Sequence, residues 1–259
     1  MTTPALSVQS PSVGRPPAAR DLLAWAADVP LGQAHALYAN LQPYVGVVKV
    51  GLSLYVEHGP AALEAFRAHG ARLFLDLKLH DIPNTVELAA ARAGALGVSY
   101  LTVHASGGEA MLRAAVQGAR SGAEAASQPP PLVLAVTALT SLDDGAVAAL
   151  GFGASAKAMA LRLAELAAAS GVAGLVCSAQ ELPALRARYP GVFLCTPGIR
   201  PKGAALGDQS RTETPEAAIR AGADLLVVGR PLHGSADAVL AAKTLHEAVA
   251  SALAERPGL

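Results

Sequence analysis

The chain has 259 residues, of which 52% are hydrophobic and 15% charged, with 20 basic side chains against 20 acidic ones. That length suits one large α/β domain, and the balanced charge supplies no field for nucleic acid. No apolar run approaches the ~18 residues of a membrane span, and Cys177 and Cys195 lie in apolar runs, as expected of reduced structural thiols and not of a disulfide or a metal pair.

Residues 1–19 are rich in Pro, Ser, Ala and Gly and lack both a basic start and an apolar core of signal-peptide length. They are expected to form a flexible tail ahead of one catalytic domain over residues 20–259, in a cytoplasmic protein. Residues 22–28 are a short apolar run ending in Asp28, read as a first strand although the same run suits a helix equally. A helix is predicted over 31–41, a strand over 45–50 interrupted by Lys49 and closed by Gly51, and a helix over 57–69 ending at Gly70. The third strand, 72–78, leads through Pro83 into a helix over 83–96 that stops at Gly97.

The alternation continues with a strand over 99–104 and a helix over about 109–120. A strand over 132–139 follows a Ser/Pro-rich loop, and residues 154–169 are helical. Strands at 171–177 and 191–196 flank a helix over 180–188, and a strand over 223–229 precedes a terminal helix over 236–254. About eight strand–helix pairs predict a closed (β/α)8 TIM barrel, with a doubly wound sheet as the competing architecture. The barrel is preferred because polar residues recur at one end of nearly every strand: Asp28, Lys49, Asp76 and Lys78, His104, Thr140 and Ser141, Ser178, Arg200, and Gly229-Arg230. In that fold the active site is built at this end.

The most informative run is Phe74-Leu75-Asp76-Leu77-Lys78-Leu79-His80-Asp81-Ile82-Pro83-Asn84-Thr85. In an extended strand Asp76 and Lys78 face one way while Leu75, Leu77 and Leu79 face the other, so charge lines one face of a strand that is otherwise buried. A lysine between Asp76 and Asp81 suggests proton chemistry, and a structural salt-bridge network is the competing reading of this local pattern. Farther on, Thr196-Pro197-Gly198-Ile199-Arg200-Pro201 and Val228-Gly229-Arg230-Pro231 follow the seventh and eighth strands. Loops at those places frequently bind phosphate; Gly198 and Gly229 let backbone N–H groups approach an anion, and Arg200 and Arg230 offer permanently charged donors. Residues 202–213, with Asp208, Gln209 and Arg211, have the composition of a mobile lid or of a plain surface connection.

Together these motifs closely resemble orotidine 5′-phosphate decarboxylase of the bacterial type. The likeness runs from Val47-Val48-Lys49-Val50-Gly51 through the Asp76 to Thr85 stretch, Val103-His104-Ala105-Ser106-Gly107-Gly108 and Ala135-Val136-Thr137-Ala138-Leu139-Thr140-Ser141 to the two phosphate loops and Asp208-Gln209-Ser210-Arg211. The Asp-x-Lys-x-x-Asp core is shared with metal-using phosphosugar barrels; the His-Asp-Ile-Pro-Asn-Thr continuation and the Thr-Pro-Gly-Ile-Arg-Pro loop separate them. The first strand departs from the family, which usually has a β-branched run ending in Leu-Asp, and Asp28 is matched by its distance to Lys49.

The resemblance implies cofactor-free and metal-free conversion of orotidine 5′-monophosphate to UMP and carbon dioxide, the last step of pyrimidine nucleotide synthesis. It implies that Lys78 stabilises the C6 carbanion and protonates it, held by Asp76 and by Asp81 of a partner subunit in a homodimer. Asp28 and Lys49 would contact the ribose, with Thr85 reaching it across the interface, and Thr140 and Ser141 would read the pyrimidine edge. Arg200, Gln209, Gly229 and Arg230 would grip the phosphate. The small-molecule nucleotide is the expected partner, with no nucleic acid and no membrane. A metal-dependent phosphosugar epimerase, aldolase or decarboxylase on the same barrel, and a phosphate-binding barrel without chemistry, are the alternatives.

Overall fold

The computed structural model describes residues 18–152, 155–201 and 212–256. Its strands are β1 (Leu23–Ala26), β2 (Val47–Gly51), β3 (Arg72–Leu79), β4 (Tyr100–His104), β5 (Leu132–Val136), β6 (Gly174–Val176), β7 (Phe193–Thr196) and β8 (Leu225–Val228). Each pairs in parallel with the next, and β8 returns to β1, which closes the expected eight-stranded barrel. Outside it, α1 (Leu31–Leu41) follows β1, α2 (Leu52–His58) and α3 (Ala61–Arg67) follow β2, α4 (Pro83–Ala95) follows β3 and α5 (Gly108–Ala125) follows β4. Then come α6 (Asp144–Ala149) and α7 (Ala156–Ala169) after β5, α8 (Leu182–Arg188) after β6, α9 (Pro215–Arg220) after β7, and α10 (Arg230–His233) and α11 (Ala238–Ala254) after β8.

Period-two alternation sorts the strand residues into two cores. Ala24, Ala26, Val47, Phe74, Tyr100, Leu134, Cys195, Leu225 and Val227 fill the barrel, where Tyr100 meets Phe74 and Phe193 at ring-centroid distances of 5.6 and 5.5 Å. The residues between them, such as Leu23, Trp25, Val48, Leu73, Leu75 and Leu101, pack outward against the helices. This resolves the ambiguous run 22–28. Trp25 faces out and stacks on Tyr38 of α1, with Phe66 of α3 edge-on, while Ala24 and Ala26 face in. A helix could not divide those residues between two opposite cores.

One row of the interior carries the functional end. Two residues beyond the apolar Ala26, Val47, Phe74 and Tyr100 stand Asp28, Lys49, Asp76 and Thr102, so the inward-facing surface turns polar in a single layer toward the carboxyl ends of the strands.

The elements depart from expectation in several places. The helix predicted over 57–69 is two helices, because Gly59 adopts φ 56° and Pro60 has no N–H to continue the ladder. The strand predicted over 132–139 stops at Val136, beyond which the Thr137 N–H and Oγ1 both donate to the Val176 carbonyl of short β6. Helices α6, α9 and α10 were not predicted, although Asp143 and Thr214 cap the first two by accepting from the N–H groups of Ala146 and Ala217, and Pro215 starts α9. Of the predicted tail, residues 1–17 lie outside the described residues, while Ala19 is buried in a 3-10 turn over Ala19–Leu22.

Candidate active site

Four charged side chains of alternating sign line the polar layer of β1, β2 and β3. Lys49 Nζ lies 3.6 Å from Asp28 Oδ1 and 3.3 Å from Asp76 Oδ2. Lys78 Nζ donates to both oxygens of Asp76, at 2.7 and 2.8 Å. The side chain of Asp76 is only 9% exposed and that of Lys78 is 31% exposed, so the carboxylate is sequestered and the ammonium reaches the opening. A buried carboxylate is costly unless it is paired and hydrogen-bonded. Burial pushes the Asp76 pKa up, but the charges of Lys49 and Lys78, with hydrogen bonds from Lys78 and Thr102, outweigh it and hold the carboxyl below the ordinary aspartate range.

Two residues that the sequence reading did not select complete this cluster. Thr102 of β4 donates its hydroxyl to Asp76 Oδ1 at 2.8 Å and accepts the Lys78 backbone N–H at 2.9 Å. Its place in Tyr100-Leu101-Thr102-Val103-His104, two residues from each of two inward positions, was the available signal. Gly51 ends β2 opposite Asp76, and a Cβ there would lie 3.0 Å from Lys49 Nζ and 3.3 Å from Asp28 Oδ1. The glycine leaves room for the ammonium. Beside Lys78 the rings of His80 and His104 are 5.3 Å apart, and the His104 pKa is lowered, first by burial and then by His80 and Lys78, against the opposing pull of Asp76. Its imidazole is therefore neutral near pH 7.

The residues selected for phosphate sit on the neighbouring side of the same end. Gly198 has φ 78°, a backbone conformation that glycine adopts without the Cβ penalty. Arg200 is buried; its Nη1 donates to the Ile199 carbonyl at 2.9 Å, and its backbone N–H donates to Glu213, which clasps the base of the loop. Arg230 opens α10 and is exposed, and Gly229 precedes it. A Cβ at Gly229 would meet Ala26 and His233 only at ordinary contact distances, so packing within the chain does not require glycine there. Gln209, Asp208 and Arg211 lie outside the described residues. Thr140 and Ser141 occupy the turn after β5, half-buried and exposed respectively.

Asp81 and Thr85 are not brought to Lys78 of their own chain. Among the described residues Asp81 forms no ion pair; its Oδ1 accepts the Ile82 N–H at 2.6 Å, and both it and Thr85 are exposed. Ile82 beside Asp81 and Leu88 of α4 are 66% and 62% exposed, and on α2 Leu52 and Val56 are 53% and 82% exposed. Cys177 and Cys195 are free thiols, fully buried, the first with its pKa pushed up to about 12, chiefly by that burial. Among the described residues no group of three or more His, Cys, Asp and Glu is placed to hold a metal ion, and no helix is long and apolar enough to cross a membrane.

Residues 21–245 match the model of the orotidine 5′-phosphate decarboxylase / HUMPS family. The chain is 50% identical over 229 residues to an orotidine 5′-phosphate decarboxylase from Anaeromyxobacter sp. strain K, covering 88% of this chain and 95% of that protein. It is 51% identical over 209 residues to one from Thermobifida fusca, covering 80% and 86%. The crystal structure of orotidine 5′-phosphate decarboxylase from Lactobacillus acidophilus superposes with a TM-score of 0.75 at 32% identity, over 88% of this chain and 98% of that one.

Proposed function

The chain belongs to the orotidine 5′-phosphate decarboxylase / HUMPS family, and from that membership and the geometry at β2 and β3 we propose how it works. It is a carbon–carbon lyase that decarboxylates orotidine 5′-monophosphate to UMP in pyrimidine biosynthesis. The observation that carries the mechanism is the buried Asp76 carboxylate shared by two ammonium groups, one of them at the opening of the barrel.

Loss of carbon dioxide breaks the bond from C6 to the carboxyl carbon and leaves its electron pair on C6. The pyrimidine ring delocalises that pair poorly, so the barrier falls chiefly by placing a fixed cation beside C6. Lys78 is that cation. Its ammonium faces the carbanion as charge develops and then gives C6 a proton, which water at the opening restores. Asp76 aims the ammonium, and Lys49 balances Asp76 from the far side, so the two lysines are held near each other without leaving one unpaired. A metal-dependent phosphosugar reaction on this barrel would need the same carboxylate for the ion. Here both oxygens of Asp76 accept from Lys78, one also accepts from Thr102, and the other faces Lys49.

Asp28 and Lys49 contact the ribose, Thr140 and Ser141 read the pyrimidine edge, and Arg200, Gln209, Gly229 and Arg230 hold the phosphate. Phosphate binding far from C6 supplies binding energy that orients the reacting carbon against Lys78. Asp81 and Thr85 act in the site of a second subunit. The support is that Asp81 accepts its own neighbour's N–H and forms no ion pair among the described residues, that both it and Thr85 are exposed, and that Ile82 and Leu88 close to them in the chain are exposed apolar side chains. The working molecule is thus a cytoplasmic homodimer of one catalytic domain per chain over residues 20–259, preceded by a short tail and requiring no cofactor.

A direct absorbance assay with orotidine 5′-monophosphate, in the presence and absence of EDTA, tests this reading. Turnover should be unaffected by EDTA and lost in Lys78→Ala, while that variant still binds UMP. Full loss under chelation, or a Lys78→Ala enzyme with most of the wild-type rate, would overturn it.

A further inference from the structure

The ladder between β3 and β4 is interrupted at the catalytic lysine. Leu75 pairs with Leu101 and Leu79 with Val103, so four steps along β3 match two along β4. Inside this bulge Lys78 takes φ 50°, which among the described non-glycine residues only Ser127 shares in kind. A left-handed backbone is strained for a residue with a Cβ, and it persists only where neighbours over-determine it. The bulge also takes the Lys78 N–H out of the sheet ladder, and a buried donor left without an acceptor carries its own penalty.

Thr102 answers both demands. It is 1% exposed, and its Oγ1 accepts the stranded Lys78 N–H at 2.9 Å. A hydroxyl has one proton, and with the amide on its acceptor side that proton goes to Asp76 Oδ1 at 2.8 Å. One oxygen atom thereby ties the backbone of the lysine to the carboxylate that receives the lysine's own side chain. The contacts of Nζ at 2.7 and 2.8 Å to the two oxygens of Asp76 require the plane of the carboxylate to be held, and rotation about its Cβ–Cγ bond would break their symmetry.

We propose that Thr102 is a positioning residue for decarboxylation: it holds Lys78 in its left-handed turn and orients Asp76, so that the Lys78 ammonium is presented to the reacting carbon. Thr102 touches no substrate atom in this scheme and acts through Lys78 and Asp76. The proposal rests on the decarboxylase reading above.

The test compares Thr102→Val, which keeps the shape and removes both hydrogen bonds, with Thr102→Ser, which keeps them. For Thr102→Val kcat should fall about 30-fold, equivalent to ~2 kcal/mol, while KM changes less than about threefold, because the phosphate grip on β7 and β8 is untouched. Thr102→Ser should recover kcat to within about threefold of wild type. Hydrogen exchange at the Lys78 amide should accelerate in Thr102→Val and not in Thr102→Ser. Where Thr102→Val does not fold, Thr102→Cys, close in volume and weak in both bonds, takes its place. A wild-type kcat in Thr102→Val, a Ser variant as impaired as the Val variant, or a Lys78 amide indifferent to both substitutions would each overturn the proposal. A wild-type protein with no turnover of orotidine 5′-monophosphate would instead refute the activity, and the amide exchange would still decide whether Thr102 holds Lys78.

Discussion

Gly51→Ala separates the function of the charged row from the stability of the barrel. Gly51 has φ −92° and ψ −175°, an extended conformation that alanine adopts freely, so the backbone has no objection. Losing a glycine also restricts the unfolded chain, which favours the folded state by about 0.4–1 kcal/mol. The new Cβ, however, would stand 3.0 Å from Lys49 Nζ and 3.3 Å from Asp28 Oδ1. Comfortable contact begins near ~3.5 Å, so Lys49 must retreat by about 0.5 Å. Its attraction to Asp76, now across 3.3 Å, would fall from about 5 to about 4.4 kcal/mol at an effective dielectric constant of about 20. The link to half-exposed Asp28 weakens by less. With the proposed ribose contact also displaced, the expected loss in kcat/KM is about tenfold, between the ~0.7 kcal/mol of that pair alone and the hundredfold penalty of a full ångström of misplacement. Steady-state assays with orotidine 5′-monophosphate beside thermal melts provide the check. A Gly51→Ala enzyme that keeps wild-type kcat/KM to within a factor of two, or whose melting temperature drops by several degrees, would refute this role for Gly51.

Mixing Asp81→Asn with Lys78→Ala, each inactive alone, should restore activity through hybrid dimers that contain one intact site; no recovery with hybrids shown to form would count against Asp81 acting across the interface. Gly198→Ala must carry a Cβ at φ 78°, so a cost of about 1–2 kcal/mol and a rise in KM larger than any fall in kcat are expected, read by melting and by steady-state kinetics. Asp76 has a folded pKa below its ordinary 3.8, so its ionisation contributes stability that is present above that value and lost as pH falls through the lower folded pKa. Denaturant titrations of wild type and Asp76→Asn should therefore converge below about pH 4, and a constant difference down to the acid limit would contradict the assigned environment. His104 is held neutral with a pKa below the ordinary 6.5. Its burial therefore costs stability as pH falls below 6.5, and His104→Asn should flatten that part of the stability profile.

Much of this was written in local pattern. The strand–helix rhythm named the barrel, and the strand-end residues Asp28, Lys49, Asp76 and Lys78 fall in one connected row because period two carries them inward from Ala26, Val47 and Phe74. The dipeptide Gly59-Pro60 and the caps Asp143 and Thr214 also announced their helix boundaries in the sequence, though an apolar period alone passes over them. Asp81 shows the limit of such reading. Its spacing from Lys78 suggested a second carboxylate at the ammonium, whereas within the chain it turns to its own neighbour's N–H.

Alternation and turn chemistry are properties of a few adjacent residues, so local pattern already sorted the residues by face. They therefore favoured the barrel over a doubly wound sheet and marked Asp28, Lys49, Asp76 and Lys78 as strand-end charges. Whether residues 22–28 form a strand depended instead on the folded barrel, in which β2 and β8 offer edges to either side. It alone decided the left-handed turn at Lys78, the hydroxyl of Thr102 that fills it, and the space that Gly51 leaves for Lys49. Those contacts join residues more than twenty positions apart or set a side chain against a missing one, and such relations come into being only when the strands close into a ring.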